Sequence, residues 1–331
     1  MHLRLLSSWL LASVAVTCHA SPLAGSLQAS YELSDALETL RDEPVPVLNR
    51  RQDEGTSASD SGAANWAIAP SQSGQPPVWE KVTSTFVSRP GVWDGCTWTV
   101  DNRYKFNSHM EVKNSSWSSR NFSSTNANAM YFIKSDTDIG PAYFNKSQIT
   151  IDSLGLLRMN QAAVPAKSAS TDAQSAQIVT AWSDITYGSI RTVAKGTKNP
   201  GAVYGMFFYG PDVPHYETDI ELVTLNPTTV HFTNQNDTMS NSTETTLYGS
   251  STISSWHEYR LDWVPGSVSF YIDGVLRENK TQGVPKGPGA WYWNAWSDGG
   301  PFSQGPARQA NTFFIQSIDM YVNRTGLVCG K

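Results

Sequence analysis

The chain has 331 residues, a formal net charge of −5, 16% charged residues and 11% aromatic residues. This length suffices for one large domain with processed ends, and it also allows two domains. Nucleic-acid binding needs a clustered basic footprint, and the sequence has no basic run beyond Arg50-Arg51. We therefore expect no nucleic-acid partner.

The N-terminus has the features of an export signal. His2 and Arg4 precede the mostly apolar stretch 5–16, which is too short to span a bilayer, and a small residue, Ala20, follows. These features predict a signal peptide over 1–20; a buried N-terminal helix is the alternative. The sequence contains no later run that predicts a membrane span and no hydrophobic C-terminal tail for a lipid anchor. We expect a secreted protein, extracellular or associated with a cell wall.

Two low-complexity segments follow. Residues 21–51 are polar, contain several carboxylates and end in Arg50-Arg51, so we predict a propeptide or a plain flexible leader. Residues 52–77 are rich in Ser, Gly, Ala and Pro, which is typical of a flexible linker. From Val78 the composition changes to short runs of residues that favour β-strands, and the predicted domain is 78–331.

Cysteines and sequons agree with export. Cys18 leaves with the signal peptide, and two leftover thiols in an oxidising compartment usually pair, so we predict a Cys96–Cys329 disulfide rather than a zinc site. Such a bridge would join the two ends of the domain. Seven Asn-x-Ser/Thr sequons predict glycosylation of several surface asparagines. The sequons begin at Asn114, Asn121, Asn145, Asn236, Asn241, Asn279 and Asn323.

The body of the chain predicts an all-β fold. Short β-rich runs alternate with turn residues such as Pro265-Gly266 and Asp273-Gly274, and long helical periodicity is hard to find. Many short strands separated by regular turns indicate a sandwich or a barrel. The predicted strands are 148–152, 189–193, 203–209, 218–224, 229–233, 256–264, 267–272 and 312–322.

The most informative segment contains three carboxylates. In a strand, alternate side chains share a face, so Glu217, Asp219 and Glu221 lie on one side and Ile220 and Leu222 on the other. Like charges on one strand face repel each other, which destabilises the strand. Their presence therefore indicates a function. A solvated acidic face and a calcium site are the alternatives.

Glycoside hydrolysis needs such a pair of carboxyl groups, about 5–5.5 Å apart in a retaining mechanism. The Cα atoms of Glu217 and Glu221 are about 13 Å apart at ~3.3 Å per residue, and the long side chains can lean inward. Asp219 between them can share a proton with one of them. Crowding also raises the pKa of at least one group, as a general acid requires.

The segment 185–321 resembles glycoside hydrolase family 16, the group of laminarinases, lichenases and cell-wall transglycosylases. The family signature, Glu-x-Asp-x-Glu, is matched by Glu217-Thr-Asp219-Ile-Glu221. Four flanking elements of the family are matched in the same order. These are Tyr187-Gly188, 206–209, 256–263 with 271–274, and 293–296.

The resemblance implies an antiparallel β-sandwich, a jelly roll of the concanavalin A type, with a concave cleft for the substrate. It implies that Glu217 is the nucleophile, Glu221 the acid/base and Asp219 their helper. Because no residue is inserted in the signature, we expect a regular strand without a bulge. Ordinary packing is the alternative for the residues that the resemblance places along the cleft, which are Tyr209, His231, Gln235, Asn294 and Trp296.

Some positions depart from the family pattern. Many members have Glu and Arg where this chain has Arg191 and Val193, and in this respect the chain resembles a fungal-type subgroup. Tyr216 stands where an acidic residue is common. His215 stands where an aromatic residue often lines the cleft. These differences affect substrate preference and outcome rather than the carboxylates.

Three functions are weighed. The first is a retaining endo-β-glucanase acting on β-1,3 or mixed β-1,3/1,4-glucan. The second is a wall-remodelling transglycosylase, which passes the glycosyl group to a sugar; cleft shape and water access decide between the two. The third is a sugar-binding lectin on the same sandwich, and the cost of three clustered carboxylates argues against it. We expect a β-glucan partner, a monomer and no cofactor, and no pattern in the sequence indicates a structural calcium ion.

Overall fold

The structure is a computed structural model. It describes residues 65–68, 79–82, 92–93, 98–100, 104–113, 116–123, 131–138, 142–166, 173–212 and 214–327. The predicted signal peptide, the predicted propeptide, Cys96, Cys329 and Asn114 lie outside the described residues, so the disulfide stays a prediction. Within the described ranges no helix is long and apolar enough to cross a membrane.

The described residues form strands and two single-turn 3-10 helices, Ser119–Asn121 and Lys146–Gln148, and they contain no α-helix. The strands in chain order are β1 (Asn65–Ile68), β2 (Trp79–Val82), β3 (Val92–Trp93), β4 (Trp98–Val100), β5 (Tyr104–Phe106), β6 (Ser108–Val112), β7 (Phe122–Ser123), β8 (Phe132–Lys134), β9 (Thr137–Asp138), β10 (Ala142–Phe144), β11 (Ile149–Ile151), β12 (Leu157–Gln161), β13 (Ala173–Thr180), β14 (Ile185–Gly196), β15 (Val203–Gly210), β16 (Tyr216–Val223), β17 (Thr229–Asn236), β18 (Met239–Thr246), β19 (His257–Val264), β20 (Ser267–Ile272), β21 (Val275–Lys280), β22 (Ala290–Trp296) and β23 (Asn311–Arg324).

Two large sheets make up the body of the protein. The front sheet has the order β18-β17-β16-β15-β22-β13-β10-β9, with β8 also on β13 and β7 on β8. The back sheet has the order β11-β12-β23-β14-β19-β20-β21, with β6 also on β23. All their pairs are antiparallel except β10–β13 and β7–β8. This confirms the predicted antiparallel sandwich.

Smaller sheets come earlier in the chain. Strands β3, β4 and β5 form one three-stranded sheet, and β1 pairs with β2. Strand β1 falls inside the segment 52–77 that composition predicts to be a linker. The domain boundaries stay a prediction.

The core lies between the front and back sheets and is rich in aromatic rings. Phe208 of the front sheet packs on Trp263 of the back sheet with ring centroids 4.5 Å apart. In the same layer, the Trp293 Nε1–H of the front sheet donates a 2.9 Å hydrogen bond to Thr192 Oγ1 of the back sheet. Fully burying one such large side chain stabilises the fold by about 2–3 kcal/mol, so these rings hold the front sheet in place.

The turns explain why the back-sheet strands pair in register. Pro265-Gly266 links β19 to β20, and Gly266 has φ +82°, which a type II turn needs at that position. Asp273-Gly274 links β20 to β21 with φ values of 53° and 76°, as a type I′ hairpin turn requires. Both turns were identified from their residue types.

All eight predicted strands exist, with ends shifted by a few residues. The sequence analysis missed others, notably β18, because that strand contains no regular apolar alternation. Strand β18 lies at the edge of the front sheet and pairs with β17 alone, so neither of its faces needs to be apolar.

One sequon departs from expectation. The prediction that these asparagines lie on the surface is wrong for Asn121, which is only 6% exposed. Its Oδ1 accepts a hydrogen bond from the backbone N–H of Ser118 at 2.6 Å, which closes the 3-10 turn. A glycan is attached to the side-chain nitrogen and must extend into solvent, so this burial argues against glycosylation of Asn121.

Candidate active site

Strand β16 places the three carboxylates on the outer face of the front sheet. Its pairing with β15 and β17 runs without a register shift, so the strand is regular, as predicted. Ile220 and Leu222 point into the core and are 2% and 0% exposed. Strict alternation therefore directs Glu217, Asp219 and Glu221 together to the opposite side.

Each of the two outer carboxylates has one directly paired residue on β15 and one on β17. Glu217 lies between Tyr209 of β15 and Gln235 of β17. Glu221 lies between Gly205 and His231 on the same two strands. Directly paired residues on one face of an antiparallel sheet have Cβ atoms about 4.5–5.5 Å apart, so these neighbours are in reach of the carboxyl groups.

Glu217 and Asp219 are joined by a side-chain hydrogen bond. Burial is the largest cause of the raised pKa of Glu217, and hydrogen bonds from Gln235 and Asp219 oppose that rise. The pKa of Asp219 lies well above its ordinary value because of burial, then the charges of Glu217 and Glu221, and then its bond to Glu217. Asp219 is therefore the member that keeps a proton, and it donates that proton's hydrogen bond to Glu217.

Glu221 is the third member. Burial and the negative charge of Glu217 raise its pKa from 4.5 to about 8. No cation is among the causes of the shifts at these three described carboxyls. At neutral pH, Glu221 therefore holds a proton that it can donate, and burial contributes more to its raised pKa than the crowding that the sequence predicts.

Asn294 of β22 is fixed beside this row by a close contact with the β15 backbone. Gly205, which pairs with both Glu221 and Asn294, donates a backbone hydrogen bond to Asn294 Oδ1 at 3.0 Å. A Cβ added to Gly205 would lie 2.5 Å from that oxygen. Because its oxygen is held, the Asn294 amide nitrogen is the atom free to meet a ligand.

Aromatic side chains line the end of the site near Glu217. Tyr292 stacks on Phe207 with ring centroids 5.0 Å apart and meets Tyr209 edge-on at 6.4 Å. Burial and the Glu217 charge raise the pKa of Tyr209 to about 12, so its hydroxyl stays a hydrogen-bond donor. His215 stacks on Tyr209 at 6.0 Å, in keeping with the cleft-lining position that the sequence gives it.

His215 is held by an acidic partner. Its Nδ1 lies 2.8 Å from Asp237 Oδ1, and its backbone N–H donates to Asp237 Oδ2 at 3.1 Å. The side-chain hydrogen bond with His215 lowers the pKa of Asp237. The pair fixes the loop before β16 next to Glu217.

A second aromatic group lies near Glu221. The Phe302 ring meets His231 edge-on with centroids 5.4 Å apart and is nearly parallel to Trp296 at 6.4 Å. Trp296 lies two residues after Asn294 on β22, and so on the same face as the carboxylates.

The structure thus brings all eight predicted site residues to one face of the front sheet, as the signature and strand parity implied. Sequence reasoning missed Phe207, Tyr292 and Phe302. Phe207 lies two residues before Tyr209 on one strand, and Tyr292 lies two residues before Asn294 on another. Strand alternation therefore places them on the same face as the predicted residues, and the sequence could have identified them. Phe302 comes from an irregular loop, which has no such parity.

The arrangement suits acid-base chemistry with a nucleophile. It offers a hydrogen-bonded carboxylate, a protonated carboxyl two strand repeats away on the same face, and aromatic surfaces on both sides. Among the described residues no group of three or more His, Cys, Asp or Glu side chains could hold a metal ion.

Residues 142–310 match the family model for glycosyl hydrolases family 16, so the chain belongs to this family of glycoside hydrolases. Curated relatives include a beta-glucanase of Bacillus licheniformis, 33% identical over 117 residues, and one of Bacillus subtilis (strain 168), 32% identical over 117 residues. Both alignments cover 34% of this chain and 48% of the relative. The chain therefore matches about half the length of these relatives.

Solved structures support the fold. The beta-glucanase of Bacillus licheniformis superposes with a TM-score of 0.53 at 20% identity, over 65% of this chain and 98% of that one. A beta-1,3-1,4-glucanase (lichenase) from a mouse hindgut metagenome gives 0.53 at 20% identity, over 65% and 99%. At such low identity these likenesses establish the sandwich fold alone.

Proposed function

We propose that the protein is a retaining endo-β-glucanase that hydrolyses β-1,3 or mixed β-1,3/1,4-glucan through a glycosyl-enzyme intermediate. The observation that carries the proposal is the unequal treatment of the two outer carboxyls. Burial raises the pKa of both carboxyls, at Glu221 to about 8. Only at Glu217 do hydrogen bonds oppose the rise, among them the 2.6 Å bond that Gln235 Nε2 donates, and this favours the ionised form of Glu217 over that of Glu221. Carboxyls whose environments push their pKa values apart divide the roles of nucleophile and acid.

In the first step, Glu217 attacks the anomeric carbon as Glu221 donates its proton to the glycosidic oxygen. The carbon–oxygen bond to the leaving sugar breaks, and an ester bond to Glu217 forms. In the second step, Glu221, now ionised, removes a proton from water, whose oxygen attacks the same carbon. This attack releases Glu217 and regenerates the Glu221 proton.

Asp219 is the helper in this scheme. Its proton bonds to Glu217, and it separates the two reacting carboxyls on a crowded face. The five lining residues would bind the sugars: Tyr209 and Trp296 with their rings, and Gln235, His231 and Asn294 with polar groups. Asn294 is well suited because its amide nitrogen remains available after its oxygen binds Gly205.

The substrate class rests on the relatives. The curated relatives and the structural neighbours quoted above bear the names beta-glucanase and lichenase. We extend β-glucan to this chain because the family signature and the aromatic surfaces are both present. Transglycosylation uses the same two carboxyls and differs only in the acceptor, so product sizes separate the two outcomes.

We also propose that the protein is secreted as a monomeric glycoprotein, extracellular or cell-wall associated, with a Cys96–Cys329 disulfide. The apolar N-terminal stretch, the two cysteines that remain after residues 1–20 and the six sequons other than the one at Asn121 support export, the disulfide and glycosylation. Expression with its own leader, followed by N-terminal sequencing and peptide mass spectrometry before and after reduction and deglycosylation, tests export, the disulfide and glycosylation. An intact leader in the exported protein, free thiols, or unmodified sequons would each refute the corresponding element.

The central experiment compares the wild type with Glu217→Gln on mixed-linkage β-glucan and on laminarin, sizing the products. Glu278→Gln on β21, in the back sheet, is the matched control because it removes a carboxyl away from the site. We expect shorter oligosaccharides from wild type and control, and a loss of at least about 10⁴-fold in Glu217→Gln. Products longer than the starting oligosaccharides would identify a transglycosylase. Binding without any product would identify a lectin.

A further inference from the structure

Two long edge strands of the sandwich lie next to each other. Strand β18, with eight residues, ends the front sheet, and β21, with six residues, ends the back sheet. Lys280 Nζ of β21 donates hydrogen bonds to Asn241 Oδ1 at 3.3 Å and to Thr243 Oγ1 at 3.0 Å, both on β18. The opposite ends of the two strand orders are β9 and β11, which have only two and three residues. The longer edges therefore meet on one side of the sandwich.

A long free edge favours pairing between copies of a protein. Its unpaired backbone N–H and C=O groups can bond to a second strand, and natural proteins protect such edges with charges, prolines or bulges. Strand β18 pairs with β17 through eight consecutive residue pairs without a register shift, so its edge is regular. It contains one charged residue, Glu244, and no proline. Lys280 of the neighbouring edge is only 3% exposed, so its charge does not face an approaching strand.

Three of the seven sequons lie at these two edges. Asn236 is the last residue of β17, before the turn into β18, Asn241 is on β18, and Asn279 is on β21. Lys280 is the middle residue of the Asn279 sequon, and it bonds to the first and third residues of the Asn241 sequon. The contact between the two edges is thus a contact between two sequons.

The geometry of two of these asparagines suits the attachment of a glycan, which is joined to the side-chain nitrogen. Asn279 is exposed, and Asn241 is half-buried at the edge of its sheet. Ser269 Oγ donates to Asn279 Oδ1 at 3.0 Å, and Lys280 donates to Asn241 Oδ1. Both bonds use the amide oxygen rather than the nitrogen, so they orient the side chain without occupying the atom that is modified.

We propose that Asn241 and Asn279 carry N-linked glycans that cover the edges of β18 and β21 and so prevent copies of this protein from pairing edge to edge. A glycan is bulky and hydrated, and at these positions it occupies the space that a second strand needs. The pairing of β20 with β21 already has a register shift between Phe270 and Tyr271, which distorts that edge. The glycan on Asn241 therefore has the larger effect. This inference rests on the proposed secretion and glycosylation and is independent of the glucanase activity.

The test measures glycan occupancy and association separately. The full chain is expressed with its own leader in a host that attaches N-linked glycans, and peptide mass spectrometry gives the occupancy of each sequon. Sedimentation then compares the wild type with the double variant Asn241→Gln/Asn279→Gln. We expect both sites to be occupied and the wild type to be monomeric. The average mass of the double variant should rise at least about twofold, the value for a dimer, and Asn241→Gln alone should give most of this rise.

Three further measurements identify the cause of any association. Enzymatic trimming of the wild-type glycans, which leaves the sequence unchanged, should raise the mass in the same way. Ser242→Lys in the double variant places a charge at an exposed position of β18 and should restore the monomer. Asn145→Gln is the matched control, because this sequon follows the short strand β10 and its Nδ2 donates to Gln174 at 2.9 Å. This control should stay monomeric.

The outcomes separate the inference from the proposals on which it rests. Occupied sites in a double variant and a trimmed wild type that both stay monomeric would overturn the inference and leave the proposed glycosylation intact. Oligomers that persist after Ser242→Lys, or that form equally in Asn145→Gln, would also overturn it. Glycans on other sequons but on neither Asn241 nor Asn279 would refute the inference alone. An absence of glycans from every sequon would refute both.

Discussion

Gln235 donates a hydrogen bond from Nε2 to Glu217 Oε2 at 2.6 Å across the β16–β17 pairing. The bond is charge-assisted when Glu217 is ionised, and such bonds are short and strong. It restrains the carboxylate and lowers the pKa of Glu217 against the effect of burial. A side chain on a neighbouring strand thus shares control of the proposed nucleophile.

Replacing Gln235 by Ala should weaken catalysis at low pH first. Without the donor, the pKa of Glu217 rises further, so a larger fraction of the enzyme carries a protonated nucleophile. We expect the acid limb of the kcat/KM profile to move to higher pH and kcat/KM near neutrality to fall by about 10-fold. Ser240→Ala, which alters the exposed residue paired with Gln235 on β18, should leave the profile unmoved.

The alkaline limb of the same profile should report Glu221. Its pKa of about 8 in the unliganded site means that the general acid loses its proton above that pH. Steady-state rates on mixed-linkage β-glucan, measured from about pH 4 to about pH 10, cover both the acid and the alkaline limb. At the alkaline end, the rate should fall about 10-fold per pH unit. A profile that stays flat to pH 10, about two units beyond, would show that Glu221 is not the acid.

Glu221 should also make folding stability depend on pH. Its pKa is raised in the folded state, so the folded protein binds the proton more tightly than the unfolded chain does. This stabilisation is complete below about pH 4.5 and is lost as the pH rises through about 8. Relative to wild type, Glu221→Gln should therefore gain about 2–4 kcal/mol of unfolding free energy between pH 4.5 and pH 8.

Urea unfolding of both proteins at the two pH values measures this difference. Asp212→Asn, which alters an exposed carboxyl in the loop before β16, serves as the control and should show no comparable gain. A constant difference between Glu221→Gln and wild type across the range would contradict the raised pKa.

Two substitutions of Asp219 should show whether this residue acts through the hydrogen bond that it donates to Glu217. Asparagine at this position can still donate a hydrogen bond to Glu217, whereas alanine cannot. We expect kcat to fall by about 10-fold in Asp219→Asn and by about 100-fold or more in Asp219→Ala. Single-turnover rates on one oligosaccharide measure both. Equal losses would mean that the hydrogen bond to Glu217 is not what Asp219 provides.

A buried histidine of the back sheet should matter for stability alone. His257 Nδ1 lies 2.7 Å from Asp273 Oδ2, and its Nε2 lies 2.9 Å from Ser251 Oγ. Removing the ring leaves Asp273 without this partner, so we expect His257→Ala to cost about 2–4 kcal/mol of unfolding free energy. Ser251→Ala, which removes one neutral contact, should cost about 1 kcal/mol.

Denaturant unfolding and kcat measured on the same two preparations test this assignment. Both variants should keep kcat within about twofold at temperatures where they stay folded, because the contacts lie in the back sheet. A large fall in kcat with unchanged stability would place His257 in the catalytic machinery instead.

The sequence predicted those site residues that lie on strands, because side chains alternate between the two faces of a strand. It did not predict site residues that lie in loops. Parity on β16 placed Glu217, Asp219 and Glu221 together, and parity on β17 placed His231 with Gln235. The order of motifs then identified Asn294 and Trp296 on a strand distant in sequence. Phe302 escaped because a loop held by side-chain hydrogen bonds has no period that a sequence displays.

The fold shows the same division. Core strands such as β15 and β19 have strong apolar signals and turn residues at their ends. The edge strand β18 is polar after Met239, and its pairing with β17, rather than its own composition, keeps it in the sheet. Membership of the fungal-type subgroup, suggested by Arg191 and Val193, stays a prediction.

The close approach of Gly205 to Asn294 has a consequence for how this cleft can be altered. Any side chain at 205 would take the space that the Asn294 amide oxygen occupies, so the two positions cannot be varied one at a time. A library that randomises 205 alone should return almost only glycine. A library that randomises both should return larger residues at 205 paired with smaller ones at 294, and those pairs would reshape the floor beside Glu221. Evolution of a new sugar preference along this route needs two substitutions together.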